Sequence, residues 1–322
     1  MNILILSVGT RNKIVQYFKK ELDGKGIVIA TDASELAPAL YDADKHYIVP
    51  RIDADDYIET IKKICVENNV KGILSLIDPE LSILAKSKQE FVDIGVTPII
   101  SDFDQVALCF DKYLFNQRLK NLGFNSIRSY IDKELFYRDL EKGIINYPVF
   151  VKPISGSASI NISKASSKEE VDLLFKKNEN LMIQEFMSGN EFGVDVYIDI
   201  LSKKTTAIFI KKKILMRSGE TDKSVSINDA KLKSLIIDFV TKMGFKGIID
   251  IDVFKDGNQY FISEVNPRFG GGYPHAYECG INIPKLIIDN ISGISMGNIS
   301  SKYDDDIYML KYNDLMLVKT GK

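Results

Sequence analysis

Histidine and cysteine are scarce in this chain, two and three among 322 residues. Cys65, Cys109 and Cys279 are far apart, odd in number and in no metal-ligand spacing, which argues against a disulfide framework or a zinc knuckle and leaves small core filler as their role. With only His46 and His275, no persuasive Ser/His/Asp set can be assembled. The Gly-x-Gly-x-x-Gly turn is missing as well. Gly9 is the sole glycine before Gly24, so a dinucleotide pyrophosphate would find no close backbone approach, and an oxidoreductase reading built on "ILILSVGTRNK" and Asp32 has little support. Charge of one sign is absent too, with 44 acidic residues against 42 basic ones. That balance excludes a global basic field for nucleic acid and an acidic tail. The apolar run "ILILSV" is about a third of a membrane span, without a basic leader or cleavage signature. A cytoplasmic protein with no membrane or nucleic-acid partner is the expectation.

What is present is a strongly periodic first third. "NILILSV", "GIVIATD", "KGILSLID" and "VTPII" are short apolar runs, separated by amphipathic stretches such as "NKIVQYFKKEL", "DDYIETIKKICVENN" and "PELSILAKSKQEFVDIG". That alternation predicts βαβ units around a doubly wound parallel sheet over residues 1–110. Ligands in such sheets sit at the carboxyl ends of strands, here near Gly9, Thr31-Asp32 and Asp78-Pro79-Glu80. From Asp111 the texture changes to a small α+β module over 111–187: helix "DKYLFNQRLKNLG", strand "YPVFVKP", loop "ISGSAS", strand "INISKA", helix "SKEEVDLLFKK" and strand "LMIQEFM". Residues 188–322 follow with an antiparallel pair in "EFGVDVYIDILSKKTTAIFIKKKILM", a polar loop 217–229 read as a mobile lid, the helix "AKLKSLIIDFVTKMG" and a β-hairpin.

That hairpin, "DIDVFKDGNQYFISEVNPRFGGG", places Asp250, Asp252, Glu264, Asn266 and Arg268 on two apolar segments, a costly choice unless something pairs with them. Register decides whether the acids cooperate. A three-residue turn would set Asp250 opposite Glu264 with Asp252 diagonal to it and Asn266 on the same face; a two-residue turn on Asp256-Gly257 would split them between faces. An all-oxygen cluster suits magnesium completed by phosphate oxygens, whereas solvent-facing aspartates on an edge strand are the plain alternative. In "VFVKPISGSAS", Lys152 can meet a phosphate while amides from Gly156 to Ser159 cradle others, although the loop fails the Walker pattern and reads equally as a surface turn. In "IQEFMSGNEFGVDV", Glu185 and Glu191 flank a Ser-Gly turn. There a backbone segment could meet a flat base and the second acid vicinal hydroxyls; both are otherwise solvated glutamates.

In order and character these pieces resemble the ATP-grasp superfamily along nearly the whole chain, and among its members the single-unit relatives of the carbamoyl-phosphate synthase large subunit. "SEVNPRFGGG" is close to that group's Glu-x-Asn-Pro-Arg, and "DKYLFNQRLKNLGF" and "VFVKP" match its two lysine-bearing segments. The resemblance implies a two-lobed ATP-grasp fold after the parallel-sheet domain, with ATP and one or two Mg2+ ions, for which Mn2+ can substitute. It implies Asp252, Glu264 and Asn266 as metal ligands and Lys112 and Lys152 as phosphate and adenine-side contacts. Gly156, Ser157 and Ser159 would line the phosphate loop. Gln184, Glu185, Phe186 and Met187 would surround adenine, Glu191 would reach the ribose, and Arg268 would stabilise an acyl phosphate. The loop "SGSAS" has fewer glycines than many relatives.

The implied activity is an ATP-dependent carboxylate-amine ligase working through an acyl phosphate, with Arg268, Lys112 and Lys152 supplying positive charge. Two alternatives stay open: phosphorylation of bicarbonate or carbamate, as in the larger synthase, and a non-catalytic ATP-binding module. A single grasp unit without a glutaminase favours the simpler ligase. The substrates are expected to be small carboxylates and amines such as amino acids, with His275, Arg217, Glu220, Asp78 and Glu80 as candidate contacts. Each has a plain reading too: a structural histidine, solvated loop charges, and a helix start at Asp78-Pro79-Glu80. A homodimer would be unsurprising.

Overall fold

In this computed structural model, residues 1–156, 162–178, 180–297, 299 and 301–319 are described. The periodic first third forms a five-stranded parallel sheet from β1 (Asn2–Leu6), β2 (Val28–Asp32), β3 (Lys45–Ile48), β4 (Val70–Ser75) and β5 (Thr97–Pro98), in the order β3-β2-β1-β4-β5. The inner strands are apolar because helices cover both faces. β3, "KHYI", was invisible to an apolar-run search because it lies at the sheet edge with its side chains largely exposed.

A four-stranded antiparallel sheet follows: β6 (Ser129–Tyr130), β7 (Val149–Pro153), β8 (Ser163–Ala165) and β9 (Leu181–Glu185), in the order β6-β9-β7-β8. Its helices start where the sequence has acceptor side chains. Asp111 accepts from the Tyr113 and Leu114 amides at the head of helix Lys112–Asn121, and Ser167 accepts from the Glu170 amide at helix Lys168–Lys177.

The third sheet is antiparallel and six-stranded, from β10 (Asn190–Ile198), β11 (Thr205–Arg217), β12 (Glu220–Ser226), β13 (Gly247–Asp256), β14 (Gln259–Asn266) and β15 (Tyr308–Leu310), in the order β14-β13-β10-β11-β12-β15. Most of the expected lid 217–229 is therefore strand. Ser218 (φ 51°) and Gly219 (φ 76°) make a tight turn, and β12 returns along β11 with Thr221, Asp222, Val225 and both its serines buried. The charges of "ETDKSVS" disguised a strand whose polar groups find partners inside the fold.

The two faces of this sheet differ. Val194, Val196, Ile249, Ile251 and Val265 pack against Ile236 and Phe239 of helix Ala230–Met243. On the other face, Tyr197, Phe209 and Ile248 share a core with Ile3, Ile5 and Phe18 of the first sheet's layer and with Tyr273. Two residues along each strand from that apolar patch, the same face carries Asp195, Lys211 and Asp250. No helix among the described residues is long and apolar enough to cross a membrane.

Candidate active site

The hairpin delivers its carboxylates to one face by a route different from the expected one. Its turn has two residues, Gly257 and Asn258, between paired Asp256 and Gln259. Regular pairing from that turn would set Glu264 opposite Ile251, facing the helix layer. Instead the register slips between Asp252 and Val253: Val253 pairs with Ile262, Asp252 with Glu264, and Asp250 with Asn266, leaving Ser263 as a bulge. Neither register weighed from the sequence occurs: the two-residue turn lies one residue beyond Asp256-Gly257, and Asp250 faces Asn266 rather than Glu264. The convergence of Asp250, Asp252, Glu264 and Asn266 on one face stands.

Neighbouring strands extend this face. Asp195 lies opposite Asp250 and Gly193 opposite Asp252, while Gly193 also faces Lys211 on β11. Because Gly193 has no side chain, the stems of Lys211 and Lys213 fill its place; a Cβ there would sit 3.1 and 3.4 Å from their Cε atoms. Lys211 pairs with the buried Asp195. Lys213 Nζ lies 2.7 Å from Glu191 Oε1 and 2.6 Å from Asp252 Oδ1. Burial disfavours the Lys213 charge, but Asp252, Glu191 and Asp250 outweigh it and hold the ammonium above its ordinary range. Burial and the neighbouring Asp252 push Asp250 up to about 7. Both lysines escaped the reading of the sequence. Their signal was the i, i+2 spacing within "IKKKI", which puts Lys211 and Lys213 on one strand face and Lys212 on the other.

Across a cleft lined by Asp78, Phe110, Gly156, Glu264 and Asn266 stand the cationic groups. Lys112 donates to the Gly156 carbonyl. Lys152, 7% exposed, donates to Gln184 Oε1 at 2.7 Å, and Gln184 Nε2 donates to Ser129 Oγ at 3.0 Å. Burial pulls the Lys152 pKa down, and Glu264 opposes that pull. Burial raises the Glu264 pKa, against the charges of Lys112 and Lys152. Arg268 bonds Asp78 Oδ2 at 2.7 Å, the Phe269 carbonyl at 3.0 Å and Asn266 Oδ1 at 3.4 Å, tying the hairpin to the carboxyl edge of the first sheet.

Glu185, Phe186 and Met187 form a half-buried connection between the small and large sheets. Phe186 packs on Phe150 with centroids 5.3 Å apart, under Lys164 Nζ at 4.4 Å. Glu191 joins the cluster through Lys213. Ser157 and Ser159 lie outside the described residues. Three candidate contacts are not brought in. His275 is 2% exposed with both ring nitrogens engaged, Nδ1 with Ser224 Oγ at 2.8 Å and Nε2 with the Ile307 carbonyl at 3.0 Å, which is the structural histidine of the plainer reading rather than a substrate contact. Glu80 is fully buried among the hydroxyls of Ser7, Tyr57 and Ser75. Arg217, at the β11–β12 turn, stands 3.5 Å from Asp222 and is mostly exposed. Glu220 does lie near, paired with Arg11 at 2.9 Å and Lys311 at 3.0 Å, and Arg11 is a third residue the sequence reading missed.

Among the described residues, no three His, Cys, Asp or Glu side chains form a ready metal cage. The candidate set is two carboxylates and an amide. It fits a magnesium ion that takes its remaining oxygens from phosphates, and the buried Asp252 Oδ1, close to Lys213 yet receiving no well-aligned hydrogen bond among the described residues, has a lone pair to give.

Comparison with known proteins identifies the family. A family model described as "ATP-grasp domain" matches residues 109–272, and one described as "PylC-like, N-terminal domain" matches residues 3–99. The chain is 24% identical over 317 residues to a carbamoyl-phosphate synthase of Methanobrevibacter smithii, an alignment covering 93% of this chain and 84% of that enzyme. It is 24% identical over 223 residues to a D-alanine–D-alanine ligase B of Clostridium tetani, covering 60% of this chain and 62% of the ligase. Among solved structures, the biotin carboxylase domain dimer of Hydrogenobacter thermophilus 2-oxoglutarate carboxylase superposes with a TM-score of 0.75 at 17% identity, covering 95% of this chain and 73% of that one.

Proposed function

From the premise that this chain belongs to the ATP-grasp family of carboxylate-amine ligases, we propose that it joins a small carboxylic acid to a small amine, using ATP and magnesium. Asp252, Glu264 and Asn266 would hold the metal, and the ion when bound would neutralise charge on the nucleotide phosphates. Lys112, with the Gly156 carbonyl beside it, and Lys152 would meet those phosphates, and Lys213, held between Glu191 and Asp252, adds positive charge beside the metal ligands. Glu185, Phe186 and Met187 receive adenine, Gln184 steadies Lys152, and Glu191 takes the ribose. The reading assigns 1–110, 111–187 and 188–322 to the first domain and the two lobes.

Both a carboxylate and ATP are anionic, so their encounter needs this ring of cations. A carboxylate oxygen attacks the γ-phosphorus, the bond to the ADP oxygen breaks, and an acyl phosphate and ADP result. The amine nitrogen then attacks the acyl carbon, phosphate departs with the C–O electron pair, and the nitrogen loses a proton to leave an amide. Arg268, anchored by Asp78, is poised to stabilise the acyl phosphate.

The observation that carries this reading is the bulged register that puts Asp252, Glu264 and Asn266 together opposite Lys112 and Lys152. ADP release from MgATP across acids and amines, alone and in pairs, tests it, with product mass spectrometry. Glu264→Gln should cut turnover by about 100-fold or more while leaving the circular dichroism spectrum unchanged; near-normal ADP release would remove the metal assignment. The similarity to carbamoyl-phosphate synthase favours a second reading, in which bicarbonate alone would drive ADP release. Nucleotide binding without ADP release under any condition would instead mark a binding module. Manganese in place of magnesium, a cytoplasmic setting and a homodimer belong to the same proposal; the biotin carboxylase neighbour is a dimer.

A further inference from the structure

We infer that Arg11 and Glu220 form a recognition element for an amine substrate carrying its own anionic group, the guanidinium receiving that anion and the carboxylate the ammonium. This deepens the ligase reading and rests on it.

Arg11 leaves the carboxyl end of β1, and Glu220 opens β12, so the pair joins the first sheet's loops to the large sheet. Their side chains are 21% and 33% exposed, within reach of a small molecule, and among the described residues neither is hydrogen-bonded or ion-paired to the proposed metal ligands. Both heads rest on the backbone of Gly271. A Cβ there would lie 2.8 Å from the Glu220 carboxyl carbon and 2.9 Å from an Arg11 nitrogen. One residue earlier, a Cβ on Gly270 would lie 2.4 Å from the Asp250 carboxyl carbon. Consecutive Cα atoms are about 3.8 Å apart. The pair thus sits one residue step from the acidic face and three residues from Arg268, a span that suits an α-amino acid or a similarly compact ampholyte.

Glu220 is shared by Arg11 and by Lys311 at 3.0 Å, two cations on one carboxylate. Arg268, close enough to repel Arg11, is already committed to Asp78, and its buried Nε has no partner among the described residues. The carboxylates of Asp250, Asp78 and Glu220 balance Arg11, Arg268 and Lys311, and the partly exposed atoms of both signs on Arg11 and Glu220 match a ligand with both signs.

The test uses the full chain and a panel of amino acids, each beside its carboxamide, in which only the anion is lost. For an amine that supports ADP release, the wild type should show at least tenfold lower kcat/KM for the carboxamide, chiefly through KM. Arg11→Met should abolish that preference. Equal use of acid and carboxamide by the wild type, or an intact preference in Arg11→Met, overturns the inference and leaves the ligase reading standing. If no amine gives ADP, that result counts against the ligase reading, and calorimetric binding of the same pairs decides here: acid-selective binding lost in Arg11→Met supports the element, and unselective or absent binding overturns it. Should Arg11→Met not fold, Gly271→Ala presses only on the flexible ends of both side chains. It should raise the acid's KM or Kd at least threefold without changing the carboxamide's; no change overturns the inference.

Discussion

Lys213 shows how one side chain sets the chemistry of a sheet face. It is buried between Glu191 and Asp252, where removing its charge leaves carboxylates without a counter-ion. Lys213→Met should therefore lose roughly 3–5 kcal/mol of stability. Added magnesium should restore more of the melting temperature in this variant than in the wild type, since the ion supplies the missing charge; thermal unfolding with and without MgCl2 measures both effects. His275 offers a second residue-scale prediction. Burial first, and then the nearby Lys211, depress its pKa to about 4 from 6.5. The folded chain holds it neutral and the unfolded chain does not, so its stabilising contribution is complete above about pH 6.5 and is lost as the pH falls toward 4. After allowance for solvent screening, the wild type should lose on the order of 2 kcal/mol more than His275→Gln across that window. Urea titrations at several pH values would reveal it, and identical pH profiles for the two proteins would contradict it.

At the scale of elements, the helix that carries Lys112 depends on its first residue. Asp111 satisfies two amides that would otherwise lack acceptors, so Asp111→Ala should cost about 1 kcal/mol in urea denaturation. It should also raise the KM for ATP, because Lys112 begins the first turn. The Asp111 cap emerged with the structure, while helix and following glycine were legible in "DKYLFNQRLKNLG", as was the fold class from the alternation of apolar runs. β12 was not: its amphipathicity depends on partners from β11 and β15, which are distant in sequence, and its charges imitate a loop. The bulge at Ser263 was equally hidden, because a turn and a bulge each shift register by one and only their sum decides which face an acid takes.

For the whole molecule, the main consequence of the fold is that the first sheet and the large sheet share a core. Phe18, Ile3 and Ile5 pack in the same cluster as Tyr197, Phe209 and Tyr273, and Tyr17 stacks on Tyr277 at 3.7 Å. Residues 1–110 and 111–322 produced separately should each expose part of that core and aggregate or fail to give a sharp transition. The intact chain should unfold those layers together, as probes in each layer would report. Two independent, reversible transitions would contradict the shared core.

Local pattern alone determined the parallel first domain, an antiparallel pair and a hairpin of the large sheet, and the presence of the acids on that hairpin, because periodicity and turn chemistry are written in neighbouring residues. Tertiary structure alone decided that Lys213 stands between Glu191 and Asp252, that Arg268 reaches Asp78, that Arg11 meets Glu220 over Gly271, and that His275 is enclosed. Each of those outcomes depends on which strands and loops become neighbours across long stretches of chain, and on burial, which turns a surface charge into one that must find a partner.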